Sequence, residues 1–191
     1  MKDPLKKYKE KRDFKKTPEP VSGEKSASKN LRFVIQKHDA RNLHYDFRLE
    51  VNNVLKSWAI PKGPSTDPGQ KRLAVPTEDH PLDYIDFEGM IPEGNYGAGT
   101  VIVWDNGTYR NLKENISMEE AIEDGHVDIW LEGKKLKGGY ALIKTGRGNR
   151  KFWLFLKKKD DMAHPDEDIL VDRPESVISG RSVEEVSGIK K

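Results

Sequence analysis

A chain of 191 residues accommodates one domain with tails or two small domains, and its 35% hydrophobic content is low enough that the apolar residues must be concentrated in one part of it. A net charge of +2 excludes a strongly basic nucleic-acid coat protein while leaving room for local basic patches, and the absence of cysteine excludes disulfides, thiolate nucleophiles and zinc–thiolate clusters. No apolar run approaches transmembrane length and Met1-Lys2-Asp3-Pro4 lacks the apolar core of a signal peptide, so the expectation is a soluble cytoplasmic protein with no membrane partner.

Residues 1–30 are rich in Lys and Glu and poor in large apolars, with Leu5, Tyr8, Phe14 and Val21 as exceptions. Such a composition predicts a flexible arm, in which Leu5 and Tyr8, three apart, leave room for a short helix. From residue 31 to 158 the pattern is a series of short strands: 31–36, 43–51, 54–60, 71–76, 82–87, 100–104, 108–111, 127–132, 140–144 and 151–157. Asn52-Asn53 reads as a two-residue hairpin loop, because Asn tolerates positive φ, and Asp105-Asn106-Gly107 reads as a second hairpin. One clear helix is predicted at 117–124, with Ser117 as N-cap, Glu120 three residues on and Gly125 as the stop. After residue 158 the chain turns polar; Ser182-Val183-Glu184-Glu185 has the form of a capping box for a final short helix. The predicted organisation is an arm (1–30), a domain (31–158) and a polar tail (159–191). The predicted class is all-β: a compact small barrel of short, mostly antiparallel strands with one or two short helices.

The segment 37–51 carries the chemistry. From Leu43 the chain alternates, with Leu43, Tyr45, Phe47, Leu49 and Val51 apolar and His44, Asp46, Arg48 and Glu50 polar. Alternation of period two predicts a strand with one face in a core. Its other face lines up an imidazole, a carboxylate and a guanidinium, and a bend upstream would bring His38 beside His44. A polar strand face is most often a solvated one, but His is an uncommon choice there, and two of the chain's five His fall within this segment. Two imidazoles and a carboxylate form a metal-binding set, and a guanidinium next to a metal suits a phosphate. His80, held extended before Pro81, is placed to donate to a phosphate oxygen or act as a general acid. Lys62 is fixed in the rigid turn after the strand 54–60. Three readings are open on these residues alone: a phosphate-handling metalloenzyme, a non-haem iron oxygenase with a His-His-Asp triad, and a non-catalytic nucleic-acid-binding barrel.

Several ordered segments resemble one family. His38-Asp39-Ala40-Arg41 with His44-Tyr45-Asp46-Phe47-Arg48-Leu49-Glu50, then 55–64, Lys71-Arg72-Leu73-Ala74-Val75, Glu78-Asp79-His80-Pro81-Leu82-Asp83-Tyr84 and 91–99 are similar to the signature of the 3′-phosphoesterase domain of bacterial DNA ligase D. Lys11-Arg12-Asp13-Phe14 and Thr17-Pro18-Glu19-Pro20 match it too, so the resemblance runs from about residue 8 to 158. It implies a free-standing Mn²⁺-dependent enzyme (Co²⁺ being a possible substitute) that removes 3′-terminal ribonucleosides and 3′-phosphates from primer ends, leaving a 3′-OH for end joining. It implies metal ligation by His38, His44 and Asp46 and contacts to the scissile phosphate from Arg48, His80 and Tyr84. Arg12 and Asp13 would complete the site from the arm with Glu19 nearby, and Lys62 and Arg72 would support nucleic-acid or phosphate binding. The implied partners are primer-template DNA or RNA–DNA ends and a separate ligase and polymerase, with the protein itself a monomer.

Overall fold

The computed structural model describes residues 3–21, 30–146 and 152–188. Ten strands run in chain order: β1 (Arg32–Asp39), β2 (Leu43–Val51), β3 (Val54–Ile60), β4 (Lys71–Pro76), β5 (His80–Pro81), β6 (Gly89–Ile91), β7 (Gly99–Asn111), β8 (His126–Gly133), β9 (Lys137–Thr145) and β10 (Phe152–Lys157). Eight of them pair in the order β1-β2-β3-β4-β10-β9-β8-β7, and β7 returns to β1, closing an antiparallel barrel. β5 adds to β3 and β6 to β7. Closure removes the free edges that an open sheet would expose. The predicted all-β barrel is what the chain forms.

Inside the barrel, alternate residues from every wall meet. Phe33 and Ile35 of β1, Tyr45, Phe47 and Leu49 of β2, Trp58 of β3, Trp104 of β7, Ile129 and Leu131 of β8 and Phe155 of β10 share one cluster. Outside it, a second and smaller cluster forms over β1, β3 and β7. It joins Val34, Leu55 and Val103 to Tyr8 of the arm and to Leu82, Tyr84 and Ile85 of a 3-10 turn (Leu82–Asp86). The arm therefore lies along the outer wall instead of trailing in solvent. It carries helix α1 (Lys6–Glu10), in which Tyr8 is fully buried with its hydroxyl donating to the Pro20 carbonyl at 2.7 Å. A Lys-rich composition hides this, because two aromatics, Tyr8 and Phe14, and a few polar side chains do the anchoring.

The hairpin at Asn52-Asn53 forms with both residues at positive φ, 48° and 64°. Helix α2 (Met118–Asp124) has the Ser117/Glu120 capping box and ends at left-handed Gly125. One predicted strand and one predicted hairpin are corrected. Residues 82–87 form the 3-10 turn, held by the bond from Phe87 N–H to the Tyr84 carbonyl. Asp105-Asn106-Gly107 is no hairpin; it lies within the single 13-residue strand β7. There the register against β1 slips, Ile35 facing Asp105 and Gln36 facing Val103. Asp105 accepts from the backbone N–H groups of Lys135 and Leu136, pinning the β8–β9 turn. Gly107 is needed for closeness and not for a turn, since a Cβ would come 2.1 Å from the Glu132 carbonyl oxygen on β8. Residues 159–188 pack on the barrel through α3 (Ile169–Asp172), whose Ile169 joins the core, and α4 (Val183–Ser187), which has the predicted Ser182 capping box. Among the described residues no helix is long and apolar enough to cross a membrane.

Candidate metal and phosphate site

The polar face of β2 points outward, away from the barrel core, yet Tyr45 to Val51 are all buried. Both faces are covered because the arm and the 3-10 turn roof the outer one. Beneath that roof lies a cleft of about 320 Å³. Strands, arm and the loop before β7 each contribute to it.

His38 and His44 stand directly opposite one another in the β1–β2 register, the chain reversing between Asp39 and Leu43 as the expected bend requires. Their ring centroids are 4.7 Å apart. His38 Nε2 donates to the Gly97 carbonyl at 2.8 Å and His44 Nδ1 donates to the Asn42 carbonyl at 2.9 Å. A carbonyl only accepts, so each contact fixes a tautomer and leaves the other ring nitrogen with a free lone pair. Those nitrogens, His38 Nδ1 and His44 Nε2, lie 3.6 and 3.7 Å from Asp46 Oδ2. That is too long for hydrogen bonds but suits atoms sharing one ion. All three ligand atoms fall within 4.8 Å of one another. The donor set, two imidazoles and a carboxylate with the lone pairs already aimed, fits a divalent transition-metal ion. Gly97, at φ +75°, supplies the sharp backbone turn that presents its carbonyl to His38.

Burial alone would raise the Asp46 carboxyl, but the Arg48 guanidinium 3.1 Å away outweighs burial and holds it well below the usual carboxylate range. Arg48 is itself buried and held on several sides: Nε donates to Gln36 Oε1 at 2.8 Å, Nη1 to Ser57 Oγ at 2.9 Å and Nη2 to Asp46. Gln36 is fixed in turn by the carbonyls of Tyr84 and Phe87. The guanidinium is thus oriented before any ligand arrives.

His80 sits beyond Arg48. Its Nδ1 is 2.9 Å from the Glu78 carbonyl, an acceptor, so the proton resides there and Nε2 carries the lone pair. Burial, then the nearby charges of Arg48 and Arg12, push its pKa well below the ordinary histidine value. Arg48 Nη1 also lies 3.0 Å from Nδ1, a donor–donor approach that the Ser57 and Gln36 bonds hold in place. His80 is therefore neutral, with Nε2 accepting from Arg12 Nη2 at 3.4 Å. In this tautomer Nε2 donates to a ligand only after taking up a proton.

The arm reaches this point. Arg12 Nε binds Glu19 Oε1 at 2.8 Å and Nη1 binds Glu78 Oε1 at 3.0 Å, all three groups nearly fully buried. Tyr84 donates its hydroxyl to the same Glu19 oxygen at 3.0 Å. Burial, then the Glu19 carboxylate, raise that hydroxyl well above its ordinary pKa, so it is a neutral donor.

Three expected residues lie elsewhere. Asp13 is exposed, bonded to Lys16 at 3.0 Å, and points away from the cleft that its neighbour Arg12 enters. Consecutive residues in an irregular segment need not share a side, and the adjacency in sequence misleads. Lys62 is exposed in the turn after β3 and does not line the cleft. Arg72, on β4, faces a separate cavity with Asp67 and Asp168. Conversely, sequence reasoning passed over Gln36, Ser57 and Glu78. A signal existed for two of them: Gln36 precedes His38 by two and Glu78 precedes His80 by two, the strand spacing that places side chains on one face.

Residues 36–144 match the family model for the DNA ligase D 3′-phosphoesterase domain. A multifunctional non-homologous end joining protein, LigD, from Pseudomonas aeruginosa is 52% identical over 186 residues, covering 94% of this chain and 22% of that protein. The LigD proteins of Mycolicibacterium smegmatis and Mycobacterium tuberculosis are each 46% identical, covering 83% of this chain and 21% and 20% of their own lengths. The chain thus spans about a fifth of the length of the curated relatives it matches.

Proposed function

The chain belongs to the DNA ligase D 3′-phosphoesterase family, and from that membership we propose that it heals 3′ ends, removing a terminal ribonucleoside to leave a 3′-phosphate and then hydrolysing that phosphate to a 3′-OH. The observation that carries this reading is the convergence of one ligand atom each from His38, His44 and Asp46 within 4.8 Å beside Arg48, Arg12 and a neutral His80. His38, His44 and Asp46 would hold a divalent ion, Mn²⁺ being the proposed one, or another transition ion such as Co²⁺. Such an ion, when bound, polarises a phosphoryl oxygen and lowers the pKa of water.

The chain's own groups supply the rest. Arg48 and Arg12 meet non-bridging phosphoryl oxygens from two sides, and both are already oriented, so little reorganisation accompanies binding. A phosphate arriving between them offsets the charges of Arg48 and Arg12, which together with burial keep His80 neutral. His80 Nε2, protonated from solvent as the phosphate binds, delivers that proton to the ribose oxygen that departs as water attacks phosphorus. Tyr84 keeps Glu19, and through it Arg12, in place. Two guanidiniums around one imidazole favour a phosphoester over the single carboxylate of a 2-oxo-acid co-substrate, and so disfavour the iron-oxygenase reading. The proposed setting is non-homologous end joining, which the relatives' names give, with primer-template DNA or RNA–DNA ends as substrate and ligase and polymerase as partners. A primer-template with a labelled 3′-terminal ribonucleotide, incubated with the protein and Mn²⁺, should yield first the 3′-phosphate and then the 3′-OH primer. An unchanged primer would overturn the reading.

A further inference from the structure

We infer that Tyr96 is a stacking platform for the nucleobase of the primer's terminal nucleotide. The inference rests on the phosphoesterase reading and adds to it how the nucleoside is gripped. Tyr96 lies in the loop between β6 and β7 and lines the same cleft as His38, Asp46 and Arg48. The next carbonyl, that of Gly97, is the group that orients His38, so the ring is tied by one peptide to the metal set. The ring is 49% exposed. Among the described residues only Tyr96 and Phe152 are aromatic and exposed, and Phe152 stands on β10, away from the cleft.

Two cations sit over the Tyr96 ring, Lys11 Nζ at 4.4 Å and Arg12 Cζ at 5.6 Å from its centroid. Lys11 also donates to the Tyr96 hydroxyl at 3.2 Å. Lys11 already has a closer ionic partner in Glu78 Oε2 at 2.9 Å, so the tyrosine is not required to satisfy it. An exposed aromatic ring with basic groups close over part of it is the recurring combination for holding single-stranded nucleic acid: the cations follow the backbone and the exposed part of the ring takes a base. Arg12 belongs to both arrangements, with Nη2 3.4 Å from His80 Nε2 and Cζ 5.6 Å from the Tyr96 centroid. A phosphate held at Arg12 and Arg48 therefore has its own nucleoside within reach of the ring. Every base has a π-face, so the contact would be indifferent to sequence, as end healing requires.

The test is a cycle between Tyr96→Ala and removal of the base. A 3′-phosphorylated primer-template is prepared with a normal or an abasic terminal nucleotide, and each is measured against wild type, Tyr96→Ala and Tyr96→Phe. Affinity is read by fluorescence anisotropy in chelator, where no turnover occurs; KM and kcat are read with Mn²⁺. Tyr96→Ala should raise Kd and KM roughly tenfold on the normal end, with kcat little altered, and under twofold on the abasic end, while Tyr96→Phe stays within about twofold of wild type on both. Equal losses on the two ends would overturn the inference and assign Tyr96 to supporting the Gly97 loop. A Tyr96→Phe variant as weak as Tyr96→Ala would overturn it also, by placing the effect in the hydroxyl and Lys11. If wild type releases no phosphate but the affinity cycle shows the coupling, the phosphoesterase reading fails and the stacking stands; if the coupling is absent from the affinities, the stacking fails whatever the activity.

Discussion

The two faces of β2 are both buried, and they are buried by opposite means. Inward, Tyr45, Phe47 and Leu49 pack among aromatic and aliphatic neighbours and need nothing but shape. Outward, Asp46 and Arg48 are as inaccessible as core residues, yet each is kept there by named hydrogen bonds and by a roof of arm and 3-10 turn. Burial of charge at that density costs free energy unless every donor and acceptor is met. The comparison teaches that the inner face makes the barrel stand and the outer face spends part of that stability on a preorganised site.

The largest expected effect separates the two faces. His44→Ala should abolish both 3′-end activities while the metal-free protein unfolds near the wild-type temperature, because His44 is only half-buried and its ring bonds one loop carbonyl. Phe47→Ala should do the reverse: a loss of about 3–5 kcal/mol in stability from the cavity, with the molecules that remain folded retaining turnover. Thermal unfolding and Mn²⁺-dependent phosphate release, measured on both variants, check this; a His44→Ala protein that keeps its activity would erase the distinction.

Next in size is Arg48→Ala, expected to lower turnover roughly a hundredfold or more while Mn²⁺ binding, read by calorimetry, persists. Arg48→Lys should recover little, since one ammonium cannot hold Gln36, Ser57 and Asp46 and still face a phosphate. If Arg48→Lys equals wild type in kcat/KM, the oriented fork is not what matters.

Deleting residues 1–20 tests the roof. It removes fully buried Tyr8 and the buried Arg12 and Glu19, so unfolding should come at least about 5 °C earlier and most activity should go. There is also a pH signature. Burial would raise the Glu78 carboxyl, but hydrogen bonds from Lys11 and Arg12 lower it below its ordinary value. A depressed folded pKa contributes stability above the ordinary carboxylate range and loses it as pH falls through the folded value. Without the arm that share is gone, so the truncated protein should lose less on acidification than the full chain does, as denaturant titrations at pH 7 and pH 3 would register.

The smallest effect is expected at Asp13→Ala. Its carboxylate is half-exposed, pairs with Lys16 and accepts from the Lys15 backbone N–H, so activity should stay within about twofold and the unfolding temperature should move little. A large loss of activity would bring Asp13 into the site after all.

Much of this division was legible in the chain. Strict alternation from Leu43 to Val51 gives the strand and its two faces directly, and the Asn52-Asn53 turn and the Ser117 and Ser182 caps follow from local chemistry that tertiary packing does not override. The polar face of that strand, with His38 upstream and His80 before Pro81, puts forward His38, His44, Asp46, Arg48 and His80 as candidates, and the family resemblance points to the same five. What composition concealed was long-range. Whether the Lys-rich arm is a tail or a roof depends on Tyr8 finding Val34 and Leu55, and no local pattern encodes that contact. Asp105-Asn106-Gly107 has the residues of a hairpin, but its Asp is taken by the turn at Lys135-Leu136 and its Gly by the approach of β8. Arg72 looked basic and near in sequence to the site strands, and only the barrel's closure sends it to another wall.

The central claim is that the outer-face cluster is a metal-dependent phosphoester site, and it is met most directly by stripping the protein with chelator and titrating Mn²⁺ back while following phosphate release from a 3′-phosphorylated primer-template. Release should be absent in chelator and return with one ion per protein in wild type, and should not return in His44→Ala. Full release in excess chelator, or equal recovery by His44→Ala, would contradict the account.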